Sequence, residues 1–203
     1  MTTGRQASRS RQTKETSIDI SLNVDGSSTS ETTTGIPFFD HMLSQLGKHG
    51  GFDLVVRCVG DLEIDTHHTI EDVGIALGEA FREALGTKAG VRRFASSSVP
   101  LDEALIDVAV DLSGRPFFVY EVDPSGGTGQ TFLLGEPGFD PQLAEEFWRA
   151  FATAAMITLH IRMRSGRNTH HIIEASFKAV ARALRDAVRI ESGGGVPSTK
   201  GVL

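Results

Sequence analysis

Apolar and polar residues alternate from Ile18 to Val24, with Asp19, Ser21 and Asn23 between Ile18, Ile20, Leu22 and Val24. That spacing predicts a strand with one buried face. Residues 27–34 are rich in Ser and Thr and predict a weak strand or a loop. Gly35-Ile36-Pro37 is a break, and Phe38 to Leu46 then reads as a helix. Phe52–Val59 and Asp61–Asp65 read as two strands separated by Gly60. A helical pattern runs from about His67 to Leu85, with Ile70, Leu77, Phe81 and Leu85 on one side and Gly86 at its C-terminal cap.

The order recurs. Leu105–Leu112 and Pro116–Val122 predict strands, and the Gly- and Pro-rich stretch 123–141 a long loop. Leu143–Ala155 reads as a helix and Ile157–Arg164 as a strand. A last helix spans about Thr169 to Val188 on the stripe Ile173, Phe177, Val180, Leu184 and Val188.

The recurrence extends to residue identity. His67-His68-Thr69-Ile70-Glu71 and His170-His171-Ile172-Ile173-Glu174 share the string His-His-x-Ile-Glu, 103 residues apart. The same shift superposes Ile70 on Ile173, Leu77 on Val180, Phe81 on Leu184 and Leu85 on Val188. Upstream the match continues at a shift of 105, with Phe52–Arg57 over Ile157–Arg162. The chain therefore reads as an α+β fold of two tandem similar halves, each a sheet packed against two helices. The expected divisions are a disordered N-terminal arm at 1–13, a first half at 14–92, a second at 93–191 and a flexible tail at 192–203. The arm is rich in Arg, Ser and Thr and only superficially resembles a transit peptide; it lacks the apolar core of a secretory signal.

Composition narrows the partners. A formal net charge of −6 disfavours non-specific nucleic-acid binding, so any anionic ligand must meet a local basic pocket. No apolar run approaches the ~20 residues of a membrane span. The single cysteine, Cys58, excludes an intramolecular disulfide and fits a reducing compartment, the cytoplasm.

On a helix, the second histidine of each pair and the glutamate are three apart, and the first histidine and the glutamate four, so these side chains project from one flank of a turn. Imidazole and carboxylate donors without thiolate suit an open site for Mn²⁺, Fe²⁺ or Zn²⁺. Adjacent histidines point about 100° apart, so the two of each pair are expected to serve different metals. The shift of 105 lays Glu146 over His41. The ligand candidates are thus His41, His67, His68 and Glu71 in the first half, and Glu146, His170, His171 and Glu174 in the second. Five of the seven histidines fall in this set. Lys178 lies one turn beyond Glu174, whereas the equivalent position of the first half holds Ile75, so a cation flanks only one motif. Arg92, Arg93 and Arg115 follow glycines in loop contexts, and Ser198, Thr199 and Lys200 lie in the tail; together they suggest an anion site. A dimetal hydrolase or phosphatase, and a non-catalytic metal-storage assembly, are the competing classes.

The strings Gly35-Ile36-Pro37-Phe38-Phe39-Asp40-His41-Met42-Leu43, His67-His68-Thr69-Ile70-Glu71-Asp72, Pro100-Leu101-Asp102-Glu103-Ala104, Asp111-Leu112-Ser113-Gly114-Arg115-Pro116 and His170-His171-Ile172-Ile173-Glu174-Ala175 carry a family resemblance. Running from about Lys14 to Gly201, the chain resembles the imidazoleglycerol-phosphate dehydratases of histidine biosynthesis. The resemblance implies a duplicated fold of the ribosomal-S5-domain-2-like kind and two Mn²⁺ per subunit. It further implies a homo-oligomeric cage of twenty-four subunits with active sites between them. By carry-over, one metal is held by His41, His68, Glu71 and His171, and the other by His67, Glu146, His170 and Glu174. Position 146 departs from members with histidine there, although glutamate is a competent Mn²⁺ ligand. The substrate phosphate is expected at Arg93, Arg115, Lys178, Ser198 and Lys200, with Gln45 and His49 lining the pocket. Glu15, Glu71 and Glu174 are the acid/base candidates. The expected reaction removes water from imidazole glycerol phosphate, with the ring held between the metals as an imidazolate.

Overall fold

The computed structural model describes residues 4–191, 195–201 and 203. The first half contains β1 (Gln6–Gln12), β2 (Thr16–Asn23), β3 (Ser30–Thr33), α1 (Pro37–Gly50), β4 (Asp53–Gly60) and α2 (His67–Leu85). The second contains β5 (Phe94–Leu101), β6 (Ala104–Asp111), β7 (Phe117–Glu121), α3 (Leu143–Ala155), β8 (Thr158–Ser165) and α4 (Thr169–Ala187). Both sheets have the same order, β1-β2-β4-β3 and β5-β6-β8-β7. The β3–β4 and β7–β8 pairs are parallel and the others antiparallel. The α+β duplication read from the motifs is the architecture of the chain.

The helices lie between the sheets and pair across the halves, α2 against α3 and α1 against α4. Their shared layer is apolar and aromatic. Phe147, Trp148, Phe151 and Phe177 are fully buried, with the Trp148 and Phe177 rings 4.6 Å apart. The α2–α3 crossing is tight because Gly74 and Gly78 face the α3 backbone. A Cβ at Gly78 would lie 2.6 Å from the carbonyl oxygen of Phe151 and 2.8 Å from the Ala154 methyl.

Two expectations are corrected. The stretch 1–13 is not an unstructured arm throughout: Gln6–Gln12 is an edge strand in antiparallel register with β2. Only Ala7 of its side chains is buried, so it lacks the apolar alternation by which inner strands are recognised. Its anchor is polar. The Arg11 guanidinium donates to Asp72 of α2 at 2.9 and 3.1 Å, and the Thr16 hydroxyl donates to the same carboxylate at 2.6 Å. The second correction is Asp61–Asp65, which forms a turn closed by Ile64 N–H to Asp61 C=O rather than a strand. Strand β5 has no counterpart in the sequence reading, because Ser96, Ser97, Ser98 and Pro100 interrupt any apolar pattern in a second edge strand.

The α2–α3 contact gives a stability test. Alanine is preferred over glycine in a helix by about 1 kcal/mol. At Gly78 the added methyl has no room, and overpacking of this kind costs about 1–3 kcal/mol. Gly78→Ala should therefore lower the denaturant midpoint, whereas a gain in stability would show that the crossing can open.

Candidate metal centre and anion pocket

The end of α1 nearest the α4 start carries His41, and α4 carries His170 and Glu174 one turn apart. Because α1 packs on α4, these three converge. His41 Nε2 lies 3.2 Å and His170 Nε2 2.8 Å from the same oxygen of Glu174. Among the described residues they are the one group of three or more His, Cys, Asp or Glu side chains with ligand atoms within 4.8 Å of one another. Glu174 is 8% exposed, and a buried carboxylate must be compensated. Burial alone would raise its pKa. Hydrogen bonds from Lys178 and His170, the Lys178 charge and a bond from His41 outweigh that and hold it down to about 2. Lys178 Nζ sits 2.6 Å from the second Glu174 oxygen.

Two further predicted pocket residues continue along α1. The Gln45 amide lies 3.5 Å from His41 Nδ1, and His49 Nε2 lies 3.1 Å from the Gln45 carbonyl oxygen. Burial, reinforced by Lys178 and Arg182, lowers the His49 pKa and favours the neutral ring.

The remaining candidates form separate groups within one chain. On α2, His67 Nε2 is 3.5 Å from Glu71. His68 Nδ1 is 3.0 Å from Asp61, and its Nε2 is 3.9 Å from Glu15. The hydrogen bond with Asp61, with the nearby Glu15 charge, raises the His68 pKa. His171 Nδ1 is 2.8 Å from Glu103, and its Nε2 is 3.8 Å from Asp102. Glu146 stands in the first turn of α3, 3.6 Å from Arg149 and part of an exposed ion-pair cluster with Glu145. One chain therefore joins His41 to His170 and Glu174, and leaves His67–Glu71, His68, His171 and Glu146 apart.

The anion candidates meet elsewhere. Arg93, Arg115, Ser198 and Lys200 line one cavity of about 550 Å³ with Pro197, Thr199 and Leu203. Arg93 donates to Asp111 at 2.7 and 3.2 Å and to the Pro197 carbonyl at 2.7 Å. It therefore pins the C-terminal segment beside the β6 end. Lys178 lies with the metal-type cluster instead. The tail reading for residues 192–194 and 202 falls outside the described residues.

The family model for imidazoleglycerol-phosphate dehydratase matches residues 34–184, which include the His-His-x-Ile-Glu motifs, His41 and Glu146. The chain belongs to the imidazoleglycerol-phosphate dehydratase family. It is 57% identical over 199 residues to the imidazoleglycerol-phosphate dehydratase of Acidothermus cellulolyticus, covering 98% of this chain and 93% of the relative. It is 53% identical over 205 residues to that of Gluconacetobacter diazotrophicus, covering the whole of both chains. The solved imidazoleglycerol-phosphate dehydratase of Staphylococcus aureus superposes with a TM-score of 0.78 at 36% identity, over 92% of this chain and 99% of that one. The Pyrococcus furiosus structure, a complex with (S)-C348, superposes at 0.80 and 36% identity over 96% of this chain and all of its own. Membership makes the chain a lyase of histidine biosynthesis. Among the described residues, no helix is long and apolar enough to cross a membrane.

Sequence reasoning assigned no part to Asp61 and Glu103, the carboxylates that grip His68 and His171. Neither belongs to a periodic motif: each lies in a turn and reaches its histidine only through the fold. The one signal present was for Glu103, which lies in the string Pro100-Leu101-Asp102-Glu103-Ala104.

The donor set of the three-residue cluster, two imidazoles and a carboxylate, fits Mn²⁺, Fe²⁺ or Zn²⁺. Glu174→Gln preserves shape and removes the charge. After equilibrium dialysis against Mn²⁺ it should retain less metal per chain than wild type, whereas Glu145→Gln, in the exposed ion-pair cluster, should retain as much. Equal metal content in the Glu174 variant would remove this cluster from consideration.

Proposed function

We propose that the chain dehydrates imidazole glycerol phosphate to imidazole acetol phosphate using two Mn²⁺ per subunit. The observation that carries this reading is the convergence of His41, His170 and Glu174 at the α1–α4 contact, in a chain of this family. We further propose a cytoplasmic homo-oligomer, a cage of twenty-four subunits. The scatter of His67–Glu71, His68, His171 and Glu146 over one chain supports sites completed between subunits.

The chemical difficulty is the substrate. Its glycerol C–H has no neighbouring carbonyl, so the imidazole ring must supply and take back electron density. The bound metals supply Lewis-acid stabilisation of negative charge on that ring. The chain's own groups perform the rest. Arg93, Arg115, Ser198 and Lys200 hold the phosphate, with Lys178 contributing charge; Arg93 is kept in position by Asp111. Gln45 and His49 line the ring side of the pocket. Glu15, Glu71 and Glu174 are the groups that move protons between the side-chain carbon, the departing hydroxyl and the enol product. Glu15 supports such a role by its position: it is half exposed and sits at the open Nε2 side of His68.

A phosphatase would release inorganic phosphate; this reading expects a ketone with the phosphate retained. Incubation with imidazole glycerol phosphate and Mn²⁺ should give the ketone and no inorganic phosphate, and the reverse would overturn the assignment.

Glu146 gives the sharper test. Its contact with Arg149 is a surface ion pair, and such pairs contribute about 0–1 kcal/mol. If that were its whole role, Glu146→Ala would be nearly silent. As the counterpart of His41 it should instead complete the second metal site. Glu146→Ala should then lower bound metal towards one per subunit and abolish turnover, while Glu146→His should retain metal and some activity. Full occupancy and normal rate in Glu146→Ala would return it to the surface.

A further inference from the structure

The two halves hold the second histidine of their motifs in the same way with different residues. In each, Nδ1 faces a carboxylate outside the candidate ligand set: Asp61 at 3.0 Å for His68 and Glu103 at 2.8 Å for His171. In each, Nε2 points towards a more exposed acid at a longer distance, Glu15 at 3.9 Å and Asp102 at 3.8 Å. We propose that Asp61 and Glu103 are positioning residues, which accept the Nδ1–H of His68 and His171 and so present each Nε2 lone pair outward as the metal-facing atom. This rests on the reading of both histidines as ligands.

The physical basis is tautomer control. A neutral imidazole carries one proton, and the nitrogen bonded to an acceptor keeps it. A carboxylate on Nδ1 therefore fixes the ring plane, leaves Nε2 unprotonated and raises its basicity as a donor. The first histidines do not need this device. His67 and His170 turn Nε2 towards Glu71 and Glu174, their own candidate co-ligands.

The anchors are well held. Glu103 accepts the backbone N–H groups of Arg167 and Asn168 at 3.0 and 2.7 Å on the oxygen not facing His171. Asp61 presents both oxygens to His68, at 3.0 and 3.2 Å.

The register shows that the anchors are not equivalents. Gln12 pairs with Ser17 across the β1–β2 turn, and Pro100 pairs with Leu105 across the β5–β6 turn. On that register Glu103 corresponds to Glu15. The β8 register shifts by one between Leu105 and Ile106, so Gly166 packs against Ala104 and Ile172 as Gly60 packs against Thr16 and Thr69, and the position corresponding to Asp61 is Arg167. An arginine there has no acceptor to offer an imidazole N–H. The second half thus recruits its turn glutamate as anchor. The first half anchors through Asp61 and leaves Glu15 unengaged, at the open face of the ring.

The test uses Asp61→Asn and Glu103→Gln. Both keep the size of the side chain, and in Glu103→Gln the amide carbonyl can still accept the two backbone N–H groups. Metal-free wild type and variants are titrated with Mn²⁺. Each variant should bind at least one Mn²⁺ about 10–100-fold more weakly, the range for loss of a partner behind a metal ligand. The unfolding midpoint of the metal-free protein should stay within about 2 °C of wild type, as for a surface change. Unchanged affinity in both variants, or a loss matched by unfolding of the metal-free protein, overturns the assignment. Solid-state ¹⁵N spectra of histidine-labelled metal-free wild type, taken above the His68 titration, test it without any variant. His68 and His171 should be the Nδ1–H tautomers, and Nε2–H tautomers would overturn the proposal. A wild type that binds no Mn²⁺ would instead refute the metal reading, while the tautomer still decides the anchors.

Discussion

The fold depends on the pairing of helices across the two halves. Each half has one sheet face to cover and two helices to cover it, and those helices are themselves apolar on the face turned from their own sheet. Stacking the halves back to back buries that second face, so α1 lies on α4 and α2 on α3. The close approach at Gly74 and Gly78 shows how tightly the layer is set. The consequence is chemical. A motif helix from one half always faces the first helix of the other, so His170 and Glu174 meet His41 and not a residue of their own half.

That arrangement also explains where charge can be buried. Glu174 is enclosed at the α1–α4 contact and is kept ionised by Lys178 and two imidazoles drawn from both halves. A carboxylate beside two imidazoles is a donor set compatible with a bound cation. On the α2–α3 side Glu71 and Glu146 are half-buried and lack a lysine at the Lys178 position, where Ile75 stands. The duplication is therefore exact in topology and unequal in electrostatics, as expected when a substrate carries its charge at one end only.

What could be read from the chain followed from burial. The four helices and inner strands β2, β4, β6 and β8 carry continuous apolar faces, and their positions and types were legible from periodicity. The edge strands β1 and β5 were not, because each lies largely exposed and is held by backbone bonds, Ser and Arg. Residues 61–65 misled for a related reason: Leu62 and Ile64 alternate with acids, yet the segment is turned back so that Asp61 can reach His68. The motif histidines and glutamates were visible because a helix fixes their spacing locally. Asp61 and Glu103 were not assigned because their partners depend on sheet register and loop length.

The unequal anchoring of the two histidines suggests how a duplicated protein acquires a one-sided site. Two identical halves would place identical groups around each motif, and a reaction that needs one acid in a particular place gains nothing from a copy. The counterpart of Asp61 in the second half is Arg167, which cannot accept an imidazole N–H, and Glu103 is committed to structural work instead. Its counterpart Glu15 escapes that commitment because Asp61, where the second half has Arg167, takes the Nδ1 side of His68. Glu15 is in turn held near the motif by the adjacent Thr16, whose hydroxyl donates to the buried Asp72, and by the Arg11 bonds to the same carboxylate. The edge strand that the composition disguised as an unstructured arm is thus the element that brings the free acid to the histidine it faces.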